Sequence, residues 1–163
     1  MPKHLIGVMG PGNGASPLVE ETAYALGQHI ARRGWVLLTG GRNVGVMDAA
    51  SRGAQSAGGL TVGILPTADT TVLSPAVDIP ILTDLGNARN NLNVLSSQVV
   101  VACGIGLGTV SEIALALKVG KPVIFMRVPA EAVAFFARLS VHSLTATDSV
   151  KTAIAWIDEQ LRL

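Results

Sequence analysis

Residues 98 to 122 read Gln98-Val-Val-Val-Ala-Cys-Gly-Ile-Gly-Leu-Gly-Thr-Val-Ser-Glu-Ile-Ala-Leu-Ala-Leu-Lys-Val-Gly-Lys-Pro122, and they divide into a strand, a glycine loop and a helix. The run from Val99 to Ala102 is apolar and too short for a helix, and the glycines that follow it predict that a buried strand ends there. Thr109 and Glu112 have the spacing of a capping box, which predicts that a helix begins at Thr109. Its apolar face carries Ile113, Leu115, Ala116 and Leu117.

Three glycines, Gly104, Gly106 and Gly108, leave the backbone amides of this loop without side chains in front of them, at the positive end of the helix. Such amides bind anionic oxygen atoms, so the loop predicts a phosphate site. The same glycines also suit a tight turn and close packing of a helix on a sheet, an interpretation that needs no ligand. Glu112 likewise either caps the helix or faces the ligand.

The composition is typical of one compact domain with a substantial core: 163 residues, 49% hydrophobic and 14% charged. The 12 basic and 11 acidic residues are spread along the chain, and there are only 3 Phe, 2 Trp and 1 Tyr, so neither a polybasic surface nor a platform for stacking bases is expected. We therefore expect no nucleic-acid partner. High apolar content with little charge predicts that another copy covers part of the surface, as a homo-oligomer.

The sequence favours the cytoplasm. Its apolar stretches are shorter than the roughly 18 residues of a membrane span, and its N-terminus lacks the pattern of a signal peptide, so no membrane association is expected. Cys103, the single cysteine, fits a reducing compartment. Its place beside Gly104 raises the idea of a thiol ligand or nucleophile, although a buried cysteine that ends a strand is the commoner case.

The N-terminal region has the same order of strand, loop and helix. Leu5 to Val8 is predicted as a strand, and Pro17 to Arg33 as a helix with Ser16 as its N-cap. The spacing Gly10-x-Gly12-x-x-Ala15 formally matches the dinucleotide fingerprint. The acidic residue that should follow the second strand, Trp35 to Thr39, is absent, so an ordinary NAD-binding domain is not predicted.

A second glycine loop, Thr39-Gly-Gly-Arg-Asn-Val-Gly-Val-Met47, follows the second strand. Its glycines either serve turn geometry alone or add a second set of backbone donors beside the first. A helix from about Val46 to Ala57 and a strand from Leu60 to Leu65 are predicted next.

The segment from Asp84 to Ser97 is predicted as a helix with a polar start and with Leu92, Val94 and Leu95 facing inward. Arg89, in that polar start, is either a solvated residue or a guanidinium well shaped for a phosphate. The other predicted elements are a short strand at Ile79 to Leu82, a helix from Pro129 to Leu139 with Phe135 and Phe136 in its buried stripe, a strand at Leu144 to Ala146, and a last helix to Leu161 capped by Asp148 or Ser149.

This order of elements predicts an α/β fold: a single Rossmann-like domain over residues 1–163, with a doubly wound parallel sheet and helices on both faces. Ligand should bind where the carboxyl ends of the strands bring the loops together. The candidate ligand-binding residues are Gly10, Gly12, Asn13, Gly14, Ser16, Gly40, Gly41, Arg42, Gly45, Arg89, Gly104, Gly106, Leu107, Gly108, Thr109 and Glu112.

Several kinds of site are not predicted. The histidines His4, His29 and His142 lack the spacing of metal ligands, so no coordinated metal is expected. The nucleophile elbow Gly-x-Ser-x-Gly and the phosphate loop Gly-x-x-x-x-Gly-Lys-Ser/Thr are both missing, which argues against a serine hydrolase and a P-loop NTPase.

The run Gly104-Ile-Gly-Leu-Gly-Thr-Val-Ser-Glu112 resembles the Pro-Gly-Gly-x-Gly-Thr-x-x-Glu signature of the LOG-like proteins, long misnamed lysine decarboxylases. Thr39-Gly-Gly to Gly45-Val-Met47 resembles their Gly-Gly to Gly-Leu-Met segment, and Arg89 falls where they carry an arginine. The resemblance extends from the first strand to Val128. The short length and the Gly-x-Gly-x-Gly-Thr form are most similar to the branch that contains the molybdenum cofactor carrier proteins.

This resemblance implies a carrier or storage protein that binds and protects a phosphate-bearing small molecule, molybdenum cofactor first of all. It also implies a dimer or tetramer that passes the cofactor to molybdoenzymes. A LOG-type phosphoribohydrolase would instead cleave the base from a nucleoside 5′-monophosphate, with Glu112 and Arg89 in catalysis. Gly104 and Ile105 replace the Pro and Gly of the signature and Asn90 replaces a lysine, which weighs against hydrolysis more than against phosphate binding. A nucleotide-sensing module is the third alternative.

Overall fold

The computed structural model describes residues 1–163, in which strands and helices alternate along most of the chain. The strands are β1 (Leu5–Met9), β2 (Val36–Thr39), β3 (Thr61–Leu65), β4 (Ile79–Leu82), β5 (Val99–Cys103), β6 (Val123–Met126) and β7 (Leu144–Ala146). The helices are α1 (Pro17–Arg32), α2 (Gly45–Ser56), α3 (Arg89–Ser96), α4 (Leu107–Lys118), α5 (Ala130–Leu139) and α6 (Val150–Gln160). A 3₁₀ turn, Gly86–Ala88, leads into α3.

The strands form one parallel sheet in the order β4-β3-β2-β1-β5-β6-β7. The chain builds outward from β1 to β4, returns to the centre, and then builds outward from β5 to β7. β1 and β5 are therefore neighbours, with Val8 beside Val101. A crevice for ligands opens at such a reversal of strand order in α/β sheets. The predicted Rossmann-like α/β fold is confirmed.

Helices cover both faces of the sheet, as predicted. One face packs side chains of α1, α2 and α6 against the strands, and the other packs side chains of α3, α4 and α5. Strands covered on both sides need no polar alternation. Every residue of β5, Val99–Cys103, is accordingly buried.

The local signals in the sequence identify most helix starts correctly. The Ser16 hydroxyl oxygen accepts a hydrogen bond from the Val19 amide (3.3 Å) at the start of α1. Ser149 is the cap of α6, where its hydroxyl oxygen accepts from the Thr152 amide (3.2 Å). Each cap satisfies an amide that would otherwise lack an acceptor.

The predicted capping box of α4 is wrong. The helix begins at Leu107, earlier than predicted, and Gly106 in extended conformation (φ −161°, ψ 172°) is its N-cap. Thr109 lies inside the first turn and caps nothing. A spacing of three residues also places two side chains on one face of a helix. Thr109 and Glu112 therefore share one face of α4, and that face lines a cavity. The two residues do not form a cap.

The predicted orientation of α3 is wrong for two of its three leucine and valine residues. Val94 is buried, but Leu92 is 36% exposed and Leu95 is 49% exposed. The buried face instead carries Asn90 and Asn93. These amides face inward because they have hydrogen-bond partners on α4, whereas apolar packing alone would favour the leucines.

Phe135 also departs from its prediction. Phe136 is buried and stacks on Phe125 of β6, with ring centroids 6.0 Å apart. Phe135 is 51% exposed and meets Phe136 edge-on. Adjacent residues on a helix point about 100° apart, so only one of the two phenylalanines can face the sheet.

Candidate functional site

A cavity of about 270 Å³ opens at the carboxyl ends of β1, β2 and β5. The loop after β1, the loop after β2 and the first turn of α4 form its walls, together with the start of α3. This is the crevice that the meeting of β1 and β5 creates. The sheet therefore brings together three segments that are far apart in sequence.

Most of the residues predicted from the sequence line this cavity. They are Gly10, Gly12, Asn13, Gly40, Arg42, Arg89, Gly106, Leu107, Gly108, Thr109 and Glu112. They come from all three glycine loops and from α3. The spatial convergence that the sequence implied is present, whereas the binding role of each residue stays a proposal.

Five of the predicted residues lie outside the cavity wall: Gly14, Ser16, Gly41, Gly45 and Gly104. Ser16 caps α1. Gly45 has φ +54°, and a Cβ there would overlap the backbone carbonyls of Pro11 and Gly12. It lets the loop after β2 pack against the loop after β1, where the Val46 amide donates to the Pro11 carbonyl (3.1 Å).

Sequence reasoning left six lining residues out of the candidate set: Val8, Met9, Pro11, Met47, Asn87 and Asn90. The two asparagines belong to the polar segment before and within α3, and that unusual polarity was the signal that could have identified them. The apolar residues carried no signal, because methionine, valine and proline occur beside any strand end.

The first turn of α4 presents unpaired donors to the cavity. Its first backbone hydrogen bond runs from the Val110 amide to the Gly106 carbonyl (2.8 Å), so the amides of Leu107, Gly108 and Thr109 have no acceptor within the helix. The Thr109 hydroxyl also has no partner, although the residue is only 2% exposed. Buried hydroxyls without partners are uncommon in folded proteins, so this one points to a group bound in the cavity.

Arg89 lies in the cavity wall in a fixed orientation. Its Nη1 donates to the carbonyls of Gly40 (2.6 Å) and Ile64 (2.7 Å), and its Nε donates to Asn90 Oδ1 (3.0 Å). Nη2 donates to no group of the protein and remains available to a ligand. A Cβ on Gly40 would overlap the guanidinium, so glycine at this position lets Arg89 reach the ends of β2 and β3.

Asn90 connects Arg89 to the first turn of α4. Its Nδ2 donates to Ser111 Oγ (2.9 Å), and that hydroxyl donates to the Gly108 carbonyl (2.6 Å). A continuous chain of hydrogen bonds thus runs from the guanidinium to the anion-facing turn. Such a chain fixes the two groups relative to each other before any ligand binds.

Glu112 is the only carboxyl in the cavity wall, and it is 7% exposed. Its Oε1 accepts a hydrogen bond from Asn93 Nδ2 (3.0 Å), and its Oε2 has no partner in the protein. Burial raises the pKa of Glu112 to about 7, and the Asn93 hydrogen bond and the charge of Arg89 oppose that shift. The carboxyl therefore changes charge near neutral pH.

The two cations of the cavity, Arg42 and Arg89, outnumber its one carboxyl, and neither forms an ion pair with Glu112. Burial lowers the pKa of Arg89; the Glu112 carboxylate opposes this shift and the Arg42 guanidinium adds to it. The site thus combines backbone amides, a hydroxyl and two guanidinium groups. These are the donors that proteins use to bind phosphate.

Cys103 is no part of the cavity wall. It is fully buried, and its Sγ lies 3.6 Å from the Val19 carbonyl. Burial raises the pKa of Cys103 to about 12, so the thiol stays protonated at neutral pH.

No group of three His, Cys, Asp or Glu side chains is placed to hold a metal ion. No helix has both the length and the apolar character needed to cross a membrane.

A parallel α/β sheet with a donor-lined cavity at its strand reversal is the architecture of Rossmann-type proteins that bind phosphorylated small molecules. The model of the SLOG cluster4 family matches residues 3–154, and the chain belongs to that family. The resemblance drawn from the signature Gly104 to Glu112 is confirmed.

Solved structures similar to this chain include two proteins named for molybdenum cofactor. The molybdenum cofactor binding protein of the phototrophic bacterium Rippkaea orientalis is 57% identical, with a TM-score of 0.97 and 99% of each chain covered. The molybdenum cofactor carrier protein of Chlamydomonas reinhardtii is 46% identical, with a TM-score of 0.94, and the match covers 99% of this chain and 100% of that chain.

A more distant relative is an enzyme. The cytokinin riboside 5′-monophosphate phosphoribohydrolase of Mycobacterium tuberculosis is 33% identical over 95 residues, which are 57% of this chain and 51% of that protein. The chain therefore matches about half of the length of this relative.

Proposed function

We propose that this protein binds molybdenum cofactor and protects it, as a carrier or storage protein. The observation that carries the proposal is the cavity between β1 and β5, in which the first-turn amides of α4 and the Thr109 hydroxyl have no protein partner. Two solved proteins named for binding or carrying this cofactor match nearly the whole chain, at 57% and 46% identity, which supports this ligand over other phosphorylated molecules.

The residues present fit the phosphate of this cargo. The amides of Leu107, Gly108 and Thr109, the Thr109 hydroxyl, and the guanidinium groups of Arg42 and Arg89 are all donors. An ionised phosphate oxygen accepts hydrogen bonds and has no proton to donate, so a cluster of donors matches it. The helix macrodipole of α4 adds a partial positive charge at the same place.

The cargo also carries an oxidisable molybdenum centre, and the contribution of the protein is to bind and enclose it. Met9, Pro11 and Met47 give the cavity apolar surface beside its donors. Apolar walls exclude water from bound groups and strengthen the hydrogen bonds that remain. Fixed donors beside apolar walls therefore suit a protein that holds and shields its cargo.

Loading and air exposure test the proposal. The purified protein is loaded anaerobically with cofactor released from a molybdoenzyme, freed of unbound cofactor, and exposed to air. The surviving cofactor is then measured by its ability to reconstitute an apo-molybdoenzyme. We expect retention of cofactor and slower loss than with an unrelated protein of similar size. Failure to retain cofactor, or loss at the same rate, would refute the proposal.

Arg42→Ser provides a sharp variant, because the Arg42 side chain lines the cavity without an ion pair or hydrogen bond in the protein. Hydrogen bonds to charged groups are worth about 1.5–3 kcal/mol, so we expect cofactor binding to weaken by tenfold or more with no change in melting temperature. Arg138→Ser, at an exposed position of α5, is the matched control and should bind as the wild type does.

Phosphoribohydrolase activity is the second candidate, because Arg89 and Glu112 share the cavity and a phosphoribohydrolase is among the relatives. Incubation with AMP or a cytokinin riboside 5′-monophosphate tests it through the release of free base. Release that disappears in Glu112→Ala would favour the enzyme over the carrier. Tight nucleotide binding without hydrolysis or cofactor protection would instead favour a nucleotide-sensing module.

We also propose that the protein acts in the cytoplasm as a homo-oligomer that delivers its cargo to molybdoenzymes. Leu92 and Leu95 on α3 and Ile79 and Ile81 on β4 expose apolar side chains to solvent. A second copy of the chain would cover such side chains if it packed against these elements, which supports self-association. Light scattering after size exclusion measures the assembly. A monomer at micromolar concentration would contradict this part of the proposal.

A further inference from the structure

Glu112 is a carboxyl placed where the proposed ligand is negative. It lies on α4 one turn after the free amides of Gly108 and Thr109, and all three residues line the same cavity. Side chains and amides three to four residues apart on a helix face the same side. An anion on the first turn of α4 therefore lies close to the carboxyl of its own helix.

No cation forms an ion pair with this carboxyl. Arg89 is the nearest candidate on α3, yet its Nη1 and Nε are committed to Gly40, Ile64 and Asn90. The only protein partner of Glu112 is the neutral amide of Asn93, which bonds Oε1 and leaves Oε2 free. A phosphate bound on the first turn of α4 would share the cavity with Oε2, an oxygen to which no group of the protein donates a hydrogen bond.

The other charged groups of the cavity are two cations, and no second carboxyl is present. The charged groups that face it are Arg89 from α3 and Arg42 from the loop after β2. The strands beneath α4, β5 and β6, contain only Val99–Cys103 and Val123–Met126, and the loop after β1 contributes uncharged residues to the cavity. Glu112 is therefore the one group of the cavity that can take up a proton near neutral pH.

We propose that Glu112 takes up a proton when the anionic ligand binds, so that its carboxyl donates a hydrogen bond toward the ligand instead of repelling it. Two negative groups within a few ångströms raise each other's proton affinity, because the ionised forms repel. The proton comes from solvent and returns to it when the ligand leaves. This inference rests on the proposed function, and it makes Glu112 a group that tightens binding at low pH and favours release at high pH.

Calorimetry with molybdenum cofactor under anaerobic conditions tests the inference directly. Titrations at pH 7 in two buffers of different ionisation enthalpy give the number of protons taken up per ligand. Since burial places the pKa of free Glu112 at about 7, the wild type should take up about half a proton more than Glu112→Gln. Glu131→Gln, at an exposed position of α5, is the matched control and should behave as the wild type.

The pH profile of the affinity gives a second measure. The ratio of the wild-type affinity to the Glu112→Gln affinity should fall about tenfold between pH 6 and pH 8. Taking this ratio cancels the titration of the phosphate itself, because the same ligand binds both proteins. If proton uptake and the pH profile are the same in the wild type and in Glu112→Gln, the inference is overturned, whereas the binding of cofactor is not. Absence of binding by both proteins at every pH would refute the proposed function and this inference with it.

A direct titration of Glu112 in the folded wild type adds a measurement that does not depend on comparing the affinities of two proteins. Carboxyl ¹³C shifts of glutamate-labelled protein report the titration of Glu112, whose signal is the one missing in Glu112→Gln. The titration midpoint should rise on cofactor binding. A midpoint that is unchanged or lower in the complex would overturn the inference.

Discussion

The buried carboxyl of Glu112 predicts that the ligand-free protein becomes less stable as the pH rises from about 5 to 8. In the unfolded chain Glu112 ionises near its ordinary value of 4.5, and in the folded chain burial raises its pKa to about 7. Between these two values the folded state holds a proton that the unfolded state has lost. Stability therefore falls with rising pH across this window, and the full cost is present above pH 7.

The size of the effect follows from the two pKa values. At 1.36 kcal/mol for each pH unit between 4.5 and about 7, the upper bound is about 3 kcal/mol. Residual access to water through the cavity lowers this, so we expect about 1–3 kcal/mol. For a domain of this length, that corresponds to roughly 3–10 °C in melting temperature.

The assay is urea unfolding at pH 5 and pH 8.5, at one fixed protein concentration, for the wild type, Glu112→Gln and the exposed control Glu131→Gln. Glu112→Gln carries no charge in either state, so its stability relative to the wild type should rise by the stated amount between pH 5 and pH 8.5. Glu131→Gln should show no such change. A stability difference between Glu112→Gln and the wild type that stays constant with pH, or that shrinks as pH rises, would refute the reasoning.

Two further substitutions test the placement of groups in the cavity. Gly40→Ala inserts a Cβ where the Arg89 guanidinium and Met47 Sδ lie, so it should destabilise the protein by about 1–3 kcal/mol. Urea unfolding measures this change. An unchanged unfolding midpoint would mean that the Arg89 guanidinium does not lie against Gly40. Thr109→Val removes the hydroxyl that has no partner, so calorimetric affinity for the cofactor should fall at least fivefold while the melting temperature holds or rises. A loss of stability in Thr109→Val would show that the hydroxyl has a partner within the free protein.

The fold was predictable because its main elements have strong and local signals. The valine-rich run of β5, the glycines after it and the apolar period of α4 each predict their element without reference to the rest of the chain. The alternation of such units then leaves a doubly wound parallel sheet as the ordinary solution. Residues from three loops meet in the cavity for the same topological reason, since parallel strands end at one edge.

The side-chain roles were less predictable, because they depend on contacts between distant elements. Asn90 and Asn93 face inward on α3 because Ser111 and Glu112 of α4 offer them partners. The polarity of the segment indicates that some of its residues have a special role, but it does not show which of them face inward. Thr109 and Glu112 fit a capping pattern whose spacing serves equally well to place two groups in one cavity.

Glycine posed the same difficulty. Gly45 serves the packing of one loop on another, whereas Gly106 and Gly108 expose backbone to the cavity. The sequence shows only that each position is glycine. Which of the two roles a glycine has is decided by the segment that packs against it in three dimensions.

A crystal structure of the protein loaded anaerobically with molybdenum cofactor would test the central claim most directly. The phosphate oxygens should lie within about 2.7–3.2 Å of the amides of Leu107, Gly108 and Thr109, with the Thr109 hydroxyl as an additional partner. Two results would contradict this claim: a cofactor bound elsewhere on the molecule, or a cofactor that fills the cavity while its phosphate does not contact these amides.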